Sequence, residues 1–230
     1  MGRMNAGLRM ALALLLLAGM AGVIVMAFFV VKAPPSPADG GQFNAPDATR
    51  ILFFHVPCAE LCSVGFLLAL FYAVRYLMTR DPRHDARSMV AARLGLFFGV
   101  MALLMGMVWA NAEWGAAWNW DPRETGLALA LLTYMAYFAL RSAVDDPERE
   151  GALAAVYAVL ACPTALFLIF GLPRMMPSLH LRPGEARLPG TFGMTIGLSI
   201  MAFIGLFFWV HTLETRITLL AWKREGRLEG

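Results

Sequence analysis

Two histidines and a tryptophan-rich segment are the residues of this chain whose types and spacing best suit a chemical task. The segment reads WGAAWNWD, and its characteristic residues are Trp114, Gly115, Trp118, Trp120 and Asp121. His55 precedes it in FFHVPCAE, and His180 follows it in MMPSLHLRP. Indole rings are large and rigid, so a cluster of them can form a wall against a flat apolar ligand.

The two histidines suit haem iron better than a zinc ion. A structural zinc ion takes four protein ligands, and a catalytic one takes three. Haem iron has four equatorial ligands from its macrocycle, so the protein need supply only axial ones. His55 and His180 are therefore candidate axial ligands. Cations could hold the haem propionates by charge-assisted hydrogen bonds, and the candidates are Arg123, which directly follows the motif, and Arg50, Arg174 and Arg182.

The remaining histidines and the cysteines fit structural roles. His84 lies in the charged segment RDPRHDAR, where a solvated side chain is expected, and His211 lies deep in the last apolar run. We expect His211 to form a hydrogen bond near the inner membrane interface. Cys58, Cys62 and Cys162 form no CxxC pair, so we interpret them as small buried thiols.

The composition indicates an integral membrane protein. The chain is 59% apolar and only 15% charged, whereas a soluble domain is about half apolar and a quarter charged. A membrane helix needs roughly 20 mostly apolar residues. The stretches that qualify are 9–31, 51–78, 89–110, 124–141, 152–170 and 192–221. The sequence thus predicts an all-α polytopic fold, with residues 1–230 in one membrane domain formed by a bundle of six helices.

The distribution of basic residues predicts the orientation of this bundle. If the N-terminus is cytoplasmic, the outer segments are 32–50, 111–123 and 171–191. They hold only six of the 19 basic residues, namely Lys32, Arg50, Arg123, Arg174, Arg182 and Arg187. The other 13 are inside, as the positive-inside rule requires. Both termini are then cytoplasmic, and the tryptophan-rich loop faces outward. Basic residues at span ends do not indicate nucleic-acid binding.

The spacing within the tryptophan segment predicts its local structure. Trp114 and Trp118 are four residues apart and would share one face of a short interfacial helix, so that Trp120 points elsewhere. Asp121 before Pro122 is typical of a helix N-cap, with Glu124 completing a capping box. The single tryptophans near span ends, Trp109, Trp209 and Trp222, are explained by an aromatic belt at the membrane surface.

The WGAAWNWD segment on a predicted outer loop, flanked by His55 and His180, resembles the haem-handling WWD family of cytochrome c biogenesis. The six predicted spans, the RILFFHVP start of the second span and the short length are most similar to its CcmC branch. The resemblance implies that the WWD residues form a haem b platform and that the two histidines are its ligands. It also implies a delivery protein of the bacterial inner membrane. The implied partners are the membrane-tethered haem chaperone CcmE, the small subunit CcmD and the ABC transporter subunits CcmA and CcmB.

Two other functions stay open at this stage. One is a CcsA-like haem lyase subunit that attaches haem directly to apocytochrome c. Such proteins usually carry further spans or a large outer partner. The other is a haem-free transporter or assembly subunit. A transporter usually has polar residues near mid-membrane, where Glu60 is the main candidate in this chain. Glu60 could instead support His55 from five residues further along.

Overall fold

Six long helices run through the chain in the computed structural model, which describes residues 5–181, 185–186 and 188–228. They are α1 (Ala6–Val25), α2 (Leu52–Thr79), α3 (Pro82–Trp114), α4 (Pro122–Ser142), α5 (Pro147–Leu166) and α7 (Gly190–Arg224). A π-helical turn extends α1 to Val30, and another leads from α5 through Gly171 into the single turn α6 (Leu172–Met175). Short 3-10 turns, Pro37–Asp39 and Pro46–Ile51, lie between α1 and α2. The described residues contain no strand.

The helices confirm an all-α polytopic membrane protein. Among the described residues, five helical stretches are long and apolar enough to cross a membrane, namely Gly7–Val30, Pro46–Thr79, Pro82–Trp114, Pro147–Met175 and Gly190–Arg224. The sixth predicted span coincides with α4, which is more polar. Its 21 residues give a length of about 31 Å. Its polar side chains Tyr134, Tyr137 and Arg141 are buried inside the bundle, so they are shielded from lipid.

Aspartate followed by proline begins three of the helices. Asp81, Asp121 and Asp146 are the N-caps of α3, α4 and α5, and each carboxylate accepts a backbone N–H from the first turn at 2.7–2.9 Å. Proline suits the first helical position because its missing N–H would have no helical partner there. The predicted cap of α4 by Asp121 is confirmed. The non-helical tryptophan loop is 115–121, shorter than the predicted 111–123, because α3 continues to Trp114 and α4 starts at Pro122.

Close contact between α2 and α3 fixes the start of α2 against the end of α3. A Cβ atom on Gly65 would lie 2.5 Å from the Cα of Gly95, so the two backbones touch where these glycines cross. Small residues allow this approach in membrane bundles. The end of the bundle that carries loop 115–121 is called the tryptophan end below. The α2–α3 crossing positions His55 at that end.

Buried ion pairs tie the helices together at the opposite end. Arg141 of α4 donates to both carboxylate oxygens of Asp85 at 2.7 and 2.8 Å and lies 2.8 Å from Glu150. Arg227, just beyond α7, also bonds Glu150 at 2.7 Å. Removing one partner of a buried pair is costly because it leaves the other charge unpaired. This network therefore holds α3, α4, α5 and the C-terminal segment in register.

Candidate functional site at the tryptophan end

His55 lies against α3 near the tryptophan end. Its Nδ1 is 2.9 Å from the carbonyl oxygen of Ala102. A carbonyl only accepts, so Nδ1 carries the proton and Nε2 of the neutral ring keeps a free lone pair. Gly106, one turn further along α3, leaves room for the ring, because a Cβ atom there would lie 3.1 Å from His55 Cε1. Glu60 is exposed, and the backbone of Ala102 rather than Glu60 holds His55.

His180 is held by the buried carboxylate of Asp121. The His180 Nδ1 lies 3.0 Å from Asp121 Oδ1, and only 21% of the His180 side chain is exposed. Burial lowers the pKa of His180 to about 4, although the charge of Asp121 acts to raise it. The ring is therefore neutral at physiological pH. With its Nδ1–H donated to Asp121, Nε2 is the nitrogen left for a metal, as in carboxylate–histidine–metal arrangements.

Asp121 combines this role with helix capping. Its Oδ1 caps α4 by accepting the Arg123 N–H at 2.9 Å. Its Oδ2 accepts the Ser178 hydroxyl at 2.9 Å and the Leu179 N–H at 2.6 Å. Burial alone would raise the pKa of Asp121, but these hydrogen bonds and His180 hold it below its ordinary value. One carboxylate thus joins the start of α4 to the segment that carries His180.

The tryptophans form two separate pairs. Trp114 ends α3, and its ring lies edge-on to His180, with centroids 4.8 Å apart. Trp118 and Trp120 pack edge to face within the loop, with ring centroids 5.7 Å apart. The prediction that Trp114 and Trp118 share one face of a short helix is wrong. Gly115 adopts φ +82° and ends α3, so Trp118 lies outside the helix. A glycine in the left-handed region directly after the last turn is a common helix terminator, so Gly115 has a backbone role.

Trp109 packs against residues of the candidate site, a contact that its interpretation as a membrane-belt residue does not predict. Its ring lies 4.9 Å from that of Trp114 and 6.0 Å from that of His180. It shares an α3 face with Ala102 and Gly106, since the spacings of four and three residues are those of one helical face. No local pattern connects Trp109 with His180, because the two residues are 71 positions apart in the chain.

Two glutamates that the sequence did not assign to the site support its loops. Glu113 of α3 accepts the backbone N–H groups of Asn44 and Ala45, both at 2.9 Å. It thereby fixes the segment that leads into α2 and His55. Glu124 accepts the Asn119 N–H at 2.9 Å, so it braces the tryptophan loop instead of closing the expected capping box on Asp121.

The four arginines that the sequence offers as propionate partners differ in whether their guanidinium groups are already bonded within the chain. Arg123 lies beside Asp121 and donates to the carbonyl of Leu181 at 3.3 Å. Arg174 is exposed and within electrostatic range of Arg123. Arg50 is already used, because it donates to the carbonyls of Ala27 and Val31 at the end of the first helix. Arg182 lies outside the described residues.

The structure separates the four histidines as expected. His55 and His180 both lie at the tryptophan end, and the charge of His55 is the smallest of the causes that lower the pKa of His180. His84 and His211 lie at the opposite end, where each ring is stacked with that of Tyr72, at centroid distances of 6.1 and 6.0 Å. The ring Nε2 of His211 lies 3.3 Å from the carbonyl of Arg87. The three cysteines are free and buried, as predicted.

Comparison with known proteins identifies the family. The sequence model of heme exporter protein C (CcmC) matches residues 3–228. The chain belongs to the CcmC family. Heme exporter protein C of Bradyrhizobium diazoefficiens is 29% identical over 87% of this chain and 76% of the relative. That of Paracoccus denitrificans is 28% identical, covering 73% and 71%. CcsA of Oenothera argillicola is 28% identical but covers only 57% of this chain and 39% of the relative.

Proposed function

We propose that this chain binds haem at its tryptophan end and delivers it for cytochrome c maturation. The observation that carries the proposal is that the tryptophan end holds both His180, packed against Trp109 and Trp114, and His55, packed against the same helix α3. In each histidine Nδ1 has a hydrogen-bond partner, which leaves Nε2 to bind iron. Membership of the CcmC family supports haem as the cargo.

The residues of the site fit haem in chemical type. Axial coordination needs neutral imidazoles, and the burial of His180 beside Asp121 keeps its ring neutral at physiological pH. The macrocycle needs apolar walls, which the indoles at positions 109, 114, 118 and 120 would supply. Arg123 is the proposed partner of a propionate, because it lies beside the Asp121–His180 pair.

Delivery requires a surface on which the receiving protein can dock, and apolar side chains are exposed beside the site. The exposed fractions are 77% for Trp120, 74% for Met175 and 51% for Met176. Aromatic residues and methionine are enriched in protein interfaces. The proposed receiver is the haem chaperone CcmE, with CcmD and the transporter subunits CcmA and CcmB as further partners. The positive-inside rule supports an inner-membrane orientation in which the tryptophan end faces outward.

Two alternatives are less well supported. A CcsA-like haem lyase is disfavoured because similarity to CcsA covers just over half of this chain, while the CcmC model matches nearly all of it. A haem-free transporter or assembly subunit gives no reason for two histidines at one end of the bundle whose Nε2 atoms have no hydrogen-bond partner among the described residues.

A transfer assay tests the delivery step. The purified chain in detergent is loaded with haem and mixed with the water-soluble domain of CcmE, and covalent haem on CcmE is read on a denaturing gel. We expect transfer from wild type and from the His84→Ala control, and slower transfer from Trp120→Ser. If the chain holds haem but CcmE acquires none, the delivery proposal is wrong. If the chain binds no haem, the proposed cargo is wrong.

A further inference from the structure

We infer that Trp109, which lies outside the WWD motif, contacts the cargo and donates its indole N–H to a carboxylate of haem. The inference rests on the proposed function and adds a specific contact to it. The motif residues alone do not suggest it, since Trp109 precedes the motif by five positions on α3.

The position of Trp109 places it inside the candidate site. Its ring packs against Trp114 at an angle of 73° and faces His180 at 40°. One turn earlier on the same face of α3, Gly106 abuts the ring of His55. Trp109 therefore lies along α3 between the residues that contact the two candidate iron ligands.

The indole N–H of Trp109 is buried and has no acceptor among the described residues. A buried donor without a partner costs roughly 1–3 kcal/mol, and native structures pair nearly all such groups. The nearest ring that could accept, that of His180, donates its own Nδ1–H to Asp121, and its Nε2 is not bonded to Trp109. An acceptor from outside the chain would remove this cost, and the candidate site is where a ligand would bring one.

The chemistry of haem restricts which acceptor this is. Its four pyrrole nitrogens are bound to iron, and its methyl and vinyl groups accept no ordinary hydrogen bond. The two propionate carboxylates are the acceptors that remain. A hydrogen bond to a carboxylate is about twice as strong as one between neutral groups. Trp109 and Arg123 together would then hold the propionate side of the macrocycle.

The test measures how substitution of Trp109 changes the affinity of the chain for two ligands. Trp109→Phe keeps an aromatic ring but removes the N–H. Haem dimethyl ester keeps the macrocycle but replaces both carboxylates by weaker, neutral acceptors. Equilibrium affinities of the purified chain in detergent are measured by titration of the Soret band. Trp209→Phe, a half-buried tryptophan on α7, is the matched control, and circular dichroism checks that each variant is folded.

We expect Trp109→Phe to weaken haem binding roughly 10- to 100-fold, the range for a hydrogen bond to a charged group. The same substitution should change the affinity for the dimethyl ester much less, and Trp209→Phe should change neither. Equal losses for haem and for the ester would overturn the inference, because the N–H would then act on something other than a carboxylate. An unchanged haem affinity in folded Trp109→Phe would also overturn it. If wild type binds neither ligand, the proposed function itself fails.

Discussion

Replacing Asp121 by asparagine should weaken haem binding without unfolding the protein. Asparagine is a good N-cap residue, so it can still accept the Arg123 N–H through its side-chain oxygen. It cannot reproduce the second anionic oxygen, which accepts Ser178 and the Leu179 N–H. It also removes the negative charge beside His180. The substitution therefore keeps the oxygen that caps α4 and accepts the His180 Nδ1–H. It loses the second acceptor, which anchors the segment that carries His180, and the charge beside the His180 ring.

The size of the effect follows from the position of Asp121 behind the candidate ligand. Substituting residues that orient a metal-bound histidine typically lowers metal affinity 10- to 100-fold. That range corresponds to about 1.4–2.8 kcal/mol of binding free energy. The protein stability should fall less, because the cap is retained. Haem affinity is measured by Soret titration, and stability by the loss of helical circular dichroism on heating.

Asp146→Asn is the matched control for Asp121→Asn. Asp146 caps α5 in the same way, through the Arg149 N–H at 2.7 Å, and it lies at the opposite end of the bundle. We expect its substitution to leave haem affinity unchanged. The reasoning is refuted if folded Asp121→Asn binds haem as tightly as wild type, or if both variants lose affinity equally.

Three further predictions concern protonation, backbone geometry and the distant ion pairs. Because burial lowers the pKa of His180 to about 4, haem affinity should stay constant as the pH falls through 6.5 and decline only towards pH 4. A spectral titration with its midpoint near 6.5 would contradict this. Gly115→Val forces a β-branched residue to φ +82° and should cost about 1–2 kcal/mol of stability, whereas Gly115→Asn should cost less in the same thermal melt. Arg141→Met leaves the buried carboxylate of Asp85 without its positively charged partner and should destabilise the chain by about 3–5 kcal/mol. The haem affinity of the folded fraction should stay unchanged.

The helices could be predicted because each apolar run has the length of a membrane span. The predicted span 51–78 corresponds to the helix Leu52–Thr79, and the predicted span 124–141 corresponds to the helix Pro122–Ser142. The extra turns of α3 were missed because polar residues near its ends, such as Asp85 and Glu113, are buried by contacts with other segments. Those contacts depend on the tertiary fold, and local hydropathy does not reveal them.

The sequence predicts which histidines and tryptophans form the candidate site, but not the hydrogen bonds and ring contacts that join them. His55 and His180 could be identified because the sequence predicts both at the same end of the bundle as the tryptophan segment. His55 precedes that segment in the chain, and His180 follows it. The bond between Asp121 and His180 joins residues 59 apart, and nothing local indicates it. The break in helix after Trp114 had a local signal, since Gly115 directly follows an apolar run. For Trp109 the sequence offers only a tryptophan near a span end, which a membrane belt explains equally well.

The measurement that tests the central proposal most directly is the absorption spectrum of the detergent-purified chain reconstituted with haem. Wild type is compared with His55→Ala, with His180→Ala and with the double variant His84→Ala/His211→Ala from the opposite end. We expect a Soret band that is unchanged in the double variant and weakened or shifted in each of the other two. An unchanged band in folded His55→Ala and His180→Ala would contradict the proposal and place haem elsewhere.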